Sequence, residues 1–117
     1  MKIKYLDNNY GGGINFIIKE VELCCKTMRS ALEQDYINVD TGSPYYNTKQ
    51  PVIGFVERKY NSTTYIPQSI VCCPYCGKKI LLEKIGESNI RARGNWELND
   101  DFNSCSFKDN KYVWKME

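Results

Sequence analysis

Apolar residues along this chain follow two different periods, and the switch between them falls in the first third. Residues 14–21, Ile-Asn-Phe-Ile-Ile-Lys-Glu-Val, are apolar and β-branched and predict a strand. Beyond them Val21, Cys25, Met28, Leu32 and Tyr36 recur at spacings of three and four, the stripe of an amphipathic helix over about residues 22–36. Two cysteines, Cys24 and Cys25, then fall in the first turn of that helix. Residues 40–51 are turn formers and predict a loop. The runs 52–60 and 63–71 predict a hairpin closed around Asn61 and Ser62, with Pro67 making its second strand an edge or a bulged one. Residues 78–85, Lys-Lys-Ile-Leu-Leu-Glu-Lys-Ile, fit a third strand or a short helix equally well. The stretch 86–117 has turn-like residues at 87–89, 93–95 and 99–104, and ends in a predicted strand at 111–116. Gly11, Gly12 and Gly13 lack the Lys-Ser/Thr that follows a phosphate loop and predict a flexible turn.

Length and composition limit what such a pattern can be. At 117 residues the chain predicts a single domain, with a core at 14–85 and a C-terminal extension at 86–117, small enough that a metal cross-link would add materially to stability. The 42% hydrophobic and 26% charged fractions are those of an ordinary globular protein, and no stretch approaches the roughly 20 apolar residues of a membrane span. The start is basic, but Asp7, Asn8, Asn9 and three glycines stand where a signal peptide carries its apolar run, so a cytoplasmic chain with no membrane partner is expected. In that compartment six cysteines stay reduced, which favours metal binding or redox catalysis over a disulfide framework. The net charge of +2 announces no nucleic-acid partner by itself. A basic stretch at 78–93 and an acidic one at 97–109 read as two solvated surfaces. A preference for Lys over Arg, with many Asn, Ile and Tyr, resembles the usage of AT-rich genomes.

Candidate chemistry concentrates in Cys73-Pro74-Tyr75-Cys76-Gly77. Two thiolates two residues apart on a tight turn, a proline fixing φ at its start and a glycine permitting positive φ at its end are the parts of a zinc knuckle. A knuckle supplies half of a tetrahedral site, and Cys24 and Cys25 are the obvious suppliers of the other half. A helix N-terminus beside them, with Lys26, Lys78 and Lys79, would offset the charge of four thiolates on one Zn²⁺. Adjacent cysteines in a regular helix point about 100° apart, so both reach one metal only if the first turn is not yet helical. Otherwise one of them is core, and Cys72 or Cys105 completes the set. Outside the site, Cys72 and Cys105 read as small buried hydrophobes.

The segment "CCKTMRSALEQDYI", followed after a β-rich stretch by "IVCCPYCGKKI", resembles a group of small zinc-ribbon-like proteins common in bacteriophages and low-GC bacteria. In their pattern a Cys-Cys pair opens a helix, and a strand later ends in Cys-Pro-aromatic-Cys-Gly-Lys-Lys. The resemblance covers residues 21–82 and implies one structural zinc held by Cys24, Cys25, Cys73 and Cys76, with no activity attached. Cys72 and the tail carrying Cys105 depart from that pattern. Glutaredoxins share Cys-Pro-Tyr-Cys and define the redox alternative, a thiol-disulfide oxidoreductase using Cys73 and Cys76. Their motif lies near the N-terminus at the head of a helix, whereas here only 41 residues and no proline follow Cys76. The chain has no histidine, which removes the commonest general base and the Ser-His and Cys-His pairs. Four thiolates would also close the coordination sphere against water.

The expected fold is therefore α+β, a small zinc-ribbon or treble-clef-like domain with one N-terminal helix packed on an antiparallel sheet. Two binding functions follow from it. In the first the domain engages a protein, as a phage-type accessory protein would a host factor such as a defence component. In the second it binds nucleic acid through Arg91, Arg93 and Trp96, whose guanidinium planes and indole suit single strands.

Overall fold

The computed structural model describes residues 1–9, 15–40, 50–58, 64–65, 69–89 and 105–114. The first strand, β1 (Lys2–Asn8), lies where no strand is expected. Its alternation Lys2-Ile3-Lys4-Tyr5 explains it: Ile3 and Tyr5 are buried, and the lysines point to the other face. There Lys2 meets Glu83 at 3.1 Å and Lys4 meets Glu20 at 3.3 Å. The expected strand at 14–21 is β2 (Phe16–Glu22), which returns antiparallel to β1 and runs one residue further than the pattern suggests.

The helix α1 (Lys26–Glu33) is shorter than the expected 22–36 and follows two strands, so it is not N-terminal. Each truncation has an identifiable cause. At its start β2 holds the chain extended to Glu22, and Leu23 N–H donates to Asn110 O at 2.9 Å. At its end Asp35 takes φ +62°. Asp35 N–H then donates to Leu32 O and Tyr36 N–H to Ala31 O, the paired bonds of a Schellman motif. Met28 and Leu32 remain on the buried stripe, but Tyr36 falls past the helix and is 61% exposed.

After β3 (Ile37–Asp40) the chain returns as β4 (Val52–Phe55), antiparallel to it. The expected hairpin around Asn61 and Ser62 is present as β5 (Glu57–Arg58) paired with β6 (Thr64–Tyr65). Its turn and Pro67 lie outside the described residues. Strand β7 (Leu81–Ser88) settles the ambiguity over residues 81–85 in favour of a strand and runs into the turn expected at 87–89. The expected last strand is β9 (Lys111–Trp114), preceded by an unanticipated β8 (Cys105–Lys108). Asp109 and Asn110 both have positive φ, the two-residue turn whose twist suits a hairpin.

Five strands form one sheet in the order β7-β1-β2-β9-β8, and it is mixed, because β1 and β7 run parallel. This corrects the expectation of an antiparallel sheet. Residues 105–114 supply two strands of the same sheet that β1 and β2 build. Helix α1 lays Met28, Ala31 and Leu32 into a core shared with Ile3, Val21, Tyr112 and Trp114. Burial of Ile3, Val21, Met28 and Leu32 contributes roughly 1.5–3 kcal/mol each. One polar cluster ties the helix to β8–β9. Tyr112 Oη–H donates to Glu33 Oε1 at 2.6 Å and Arg29 Nε–H to the same oxygen at 3.0 Å. The Arg29 guanidinium lies 3.7 Å from the centroid of the Phe107 ring. Those two hydrogen bonds, Tyr112's first, hold the Glu33 carboxyl below its usual range. Among the described residues no helix is long and apolar enough to cross a membrane.

Candidate metal centre

The register of the central strands brings the two cysteine pairs together. Lys2 pairs with Glu22 at the end of β2 and with Leu81 at the start of β7. The chain leaving β2 and the chain entering β7 therefore meet at one end of the sheet, on either side of β1. Cys24 and Cys25 follow β2 directly, and Cys73 and Cys76 precede β7. The four Sγ atoms lie within 4.8 Å of one another, and Cys25 Sγ is 3.8 Å from Cys73 Sγ. Metal–thiolate bonds of about 2.3 Å in a tetrahedron place sulfurs about 3.8 Å apart, whereas a disulfide needs about 2.05 Å. All six cysteines are free thiols. The cluster is compatible with a tetrahedral metal site.

The Cys73–Cys76 half is a reverse turn between two short arms. Cys72 bridges to Lys79 across the arms, and Ile80 N–H donates to Val71 O at 2.8 Å. Inside the turn Cys73 N–H donates to Lys78 O at 2.8 Å and Gly77 N–H to Cys73 O at 2.9 Å. Two backbone donors aim at sulfur: Tyr75 N–H reaches Cys73 Sγ at 3.4 Å, and Lys78 N–H bonds Cys76 Sγ. Gly77 sits at φ +78° with nothing within 4 Å of where a Cβ would stand. Glycine is therefore needed there for its backbone conformation and not for space. No helix follows the motif: residues 74–76 are a turn and the next described element is β7. The glutaredoxin arrangement, with the motif heading a helix, is not the one this chain adopts.

The other half is built differently. Cys25 is the N-cap of α1, with φ −161° and ψ 163°, and its Sγ accepts from Met28 N–H at 3.4 Å. Sulfur thus takes the place that serine or aspartate oxygen holds in most caps. Because the backbone at Cys25 is extended, the 100° divergence of helical neighbours does not apply, and both adjacent cysteines reach the cluster. The expected first turn of helix is thereby corrected to the segment just before it.

Burial and charge differ across the four. Cys73 is buried, Cys24 and Cys25 are half-buried, and Cys76 is exposed. As thiols, Cys24 and Cys76 are shifted in opposite directions. Burial, then hydrogen bonds to Cys76 and Cys73, push Cys24 up to about 12. The Lys78 backbone N–H, helped by the neighbouring thiols, draws Cys76 down to about 7. Lys26, Lys78 and Lys79 are exposed and lie close in sequence to the four cysteines.

Cys72 and Cys105 lie outside the group of four. Cys72 is exposed, one residue from Cys73 on an arm where neighbours alternate sides, which corrects its reading as a buried hydrophobe. Cys105, on β8, pairs with Trp114 of β9 and packs partly buried against the core. Arg91, Arg93 and Trp96 lie outside the described residues. The N-cap role of Cys25 is a feature that sequence reasoning missed, because cysteine is not a usual cap residue and no Glu or Gln follows at the third helical position. Comparison with protein-family models, with curated proteins and with solved structures finds no match for this chain, so any likeness to zinc ribbons rests on the residues that carry it.

Proposed function

We propose that the chain is a zinc-stabilised binding protein without enzymatic activity, a zinc-ribbon-like module whose metal holds the β2–α1 junction against the knuckle. The observation that carries this reading is the convergence of four sulfurs from two segments 48 residues apart, without a disulfide. Four soft thiolates in a tetrahedral arrangement suit Zn²⁺ and leave no open position for a reacting water. The absence of histidine supports the non-enzymatic reading further. The zinc would be structural, and its binding energy would be folding energy.

A protein partner fits this reading better than nucleic acid. Along the sheet face that carries Lys2 and Lys4, Lys2 pairs with Glu83 while Lys4 and Lys111 share Glu20, so among the described residues that face offers little unpaired positive charge to a phosphate backbone. The resemblance in the sequence adds the setting of a phage-type accessory protein acting on a host protein.

Elemental mass spectrometry with a thiol count tests the metal reading on protein purified without added metal. One zinc per chain is expected, with about four thiols becoming reactive only on chelation, as four-coordinate thiolate sites require. Protein without metal, whose Cys73 and Cys76 cycle between dithiol and disulfide, would overturn it.

A further inference from the structure

The two arms of the knuckle part company immediately above it. Val71 and Ile80 are still hydrogen-bonded to one another, at 2.8 Å. One residue further, Ile70 N–H donates to Ile53 O at 2.7 Å, and Ser69 bridges to Gly54, so that arm joins β4. The other arm becomes β7 and joins β1. A groove of about 600 Å³ opens in the fork, within the size range of a binding site. Ile53 and Ile80 are buried along it, while Val71 and Leu81 on its rims are 70% and 50% exposed.

Three features of the fork select an occupant. First, β7 is the outermost strand of its sheet, and among the described residues no strand pairs with its outer edge. Its outward backbone N–H and C=O groups along the groove offer a ladder to an extended chain. Second, that ladder is short. The β1–β7 register skips Ile85, a bulge that interrupts regular pairing after Lys84 before it resumes at Gly86, so the unbroken stretch beside the groove is Leu81–Lys84. Third, among the described residues the groove lining holds one charged residue, Lys79, and no carboxylate. Lys79 is exposed and has no acidic partner among the described residues. The nearest acid on β7, Glu83, is already paired with Lys2.

We infer that the fork binds an extended peptide segment of a partner protein, about four residues long, which adds a strand along Leu81–Lys84, seats apolar side chains between Val71 and Leu82, and sets a carboxylate against Lys79. This rests on the protein-binding reading given above and supplies its surface and the chemistry of its partner.

Titration of the zinc-loaded, ¹⁵N-labelled protein with a blocked heptapeptide alternating valine and aspartate tests it, alongside the same peptide with lysine for aspartate, a backbone N-methylated version, and decanoate. Amide shifts confined to residues 69–71 and 79–84 are expected for the aspartate peptide. Affinity should fall at least tenfold for Val71→Asp, for Lys79→Glu and for the N-methylated peptide, and the lysine peptide should gain on Lys79→Glu. Both substitutions are at exposed side chains, and an unchanged amide spectrum of the free variants checks that they fold. No shifts at millimolar peptide, or shifts indifferent to both substitutions, would overturn the inference. Equal binding of decanoate and N-methylated peptide would overturn it in favour of an apolar acid. Zinc content measured on the same sample keeps the two claims apart: peptide failure with one zinc per chain sinks the groove alone, whereas absent zinc sinks the metal reading.

Discussion

The two halves of the cysteine cluster reach the same geometry by opposite means. In the knuckle, six residues from Cys73 to Lys78 close on themselves through backbone bonds, and two of those residues' N–H groups are turned onto sulfur. That half is organised by local chemistry. At the junction, Cys24 has β2 behind it and Cys25 has α1 ahead, and the position of both depends on pairing with β1 and on the bond from Leu23 to the β8–β9 turn. That half is organised by the rest of the fold. A metal bridging them would therefore tie tertiary structure to a preformed turn.

Removing ligands gives the largest effect and separates the halves. Cys73→Ser and Cys25→Ser should each abolish stoichiometric zinc and lower stability by several kcal/mol, since structural zinc contributes about 10–16 kcal/mol in small domains. Cys25→Ala should be worse than Cys25→Ser by about 1 kcal/mol, because serine keeps the helix cap. Cys72→Ser should leave the metal count unchanged. Hydrogen exchange after chelation distinguishes the halves directly: amides at 23–29 should lose protection by a larger factor than those at 73–78. Equal loss in both would mean that the knuckle is no more self-sufficient than the junction.

The same contrast explains which parts could be read from sequence. The knuckle was legible because its cause lies within six residues: proline, glycine and the cysteine spacing each have a local meaning. The strand at 16–22, the β5–β6 pairing and the final strand were legible for the same reason, as periods within a short window. The ends of α1 were not. Its start is set by β2 and by Asn110, far away in sequence, and its stop uses Asp35 at positive φ in place of the glycine or asparagine that marks most helix ends. Strand β1 carries its alternation openly in Lys2-Ile3-Lys4-Tyr5, but its parallel pairing with β7, about 80 residues on, has no local signature. Since β1 is what brings Cys24 near Cys76, the four-cysteine set could be proposed from sequence but not distinguished there from sets using Cys72 or Cys105.

A smaller effect tests the self-sufficient half alone. Gly77→Ala places a Cβ in open space but on a left-handed backbone, so it should cost about 1–2 kcal/mol from conformation only. Asparagine tolerates that conformation better than alanine, so Gly77→Asn should recover part of the loss. Thermal melts of zinc-loaded protein measure both. A loss under about 0.3 kcal/mol for alanine would mean that the turn relaxes at little cost and that the knuckle is less preformed than its hydrogen bonds imply.

The subtlest difference is in proton affinity, and it concerns the metal-free protein. Cys76 in the knuckle is drawn down to about 7 by a backbone N–H, while Cys24 at the junction is pushed up to about 12 by burial, each from an ordinary value of 9.0. A lowered pKa adds stability that is complete above 9 and lost as pH falls through about 7. A raised one adds stability that is complete below 9 and lost as pH rises through about 12. The two contributions therefore overlap best near pH 9, and thiolate reactivity splits well below it. Between pH 6 and 8, iodoacetamide should label Cys76 first, along a rate profile with its midpoint near 7, while Cys24 stays largely unlabelled. Peptide mapping at each pH reads both sites in one experiment. Comparable labelling of Cys24 and Cys76 at pH 8 would show that the sulfurs are equivalent once the metal is gone, and that the asymmetry between local and tertiary organisation does not extend to their protons.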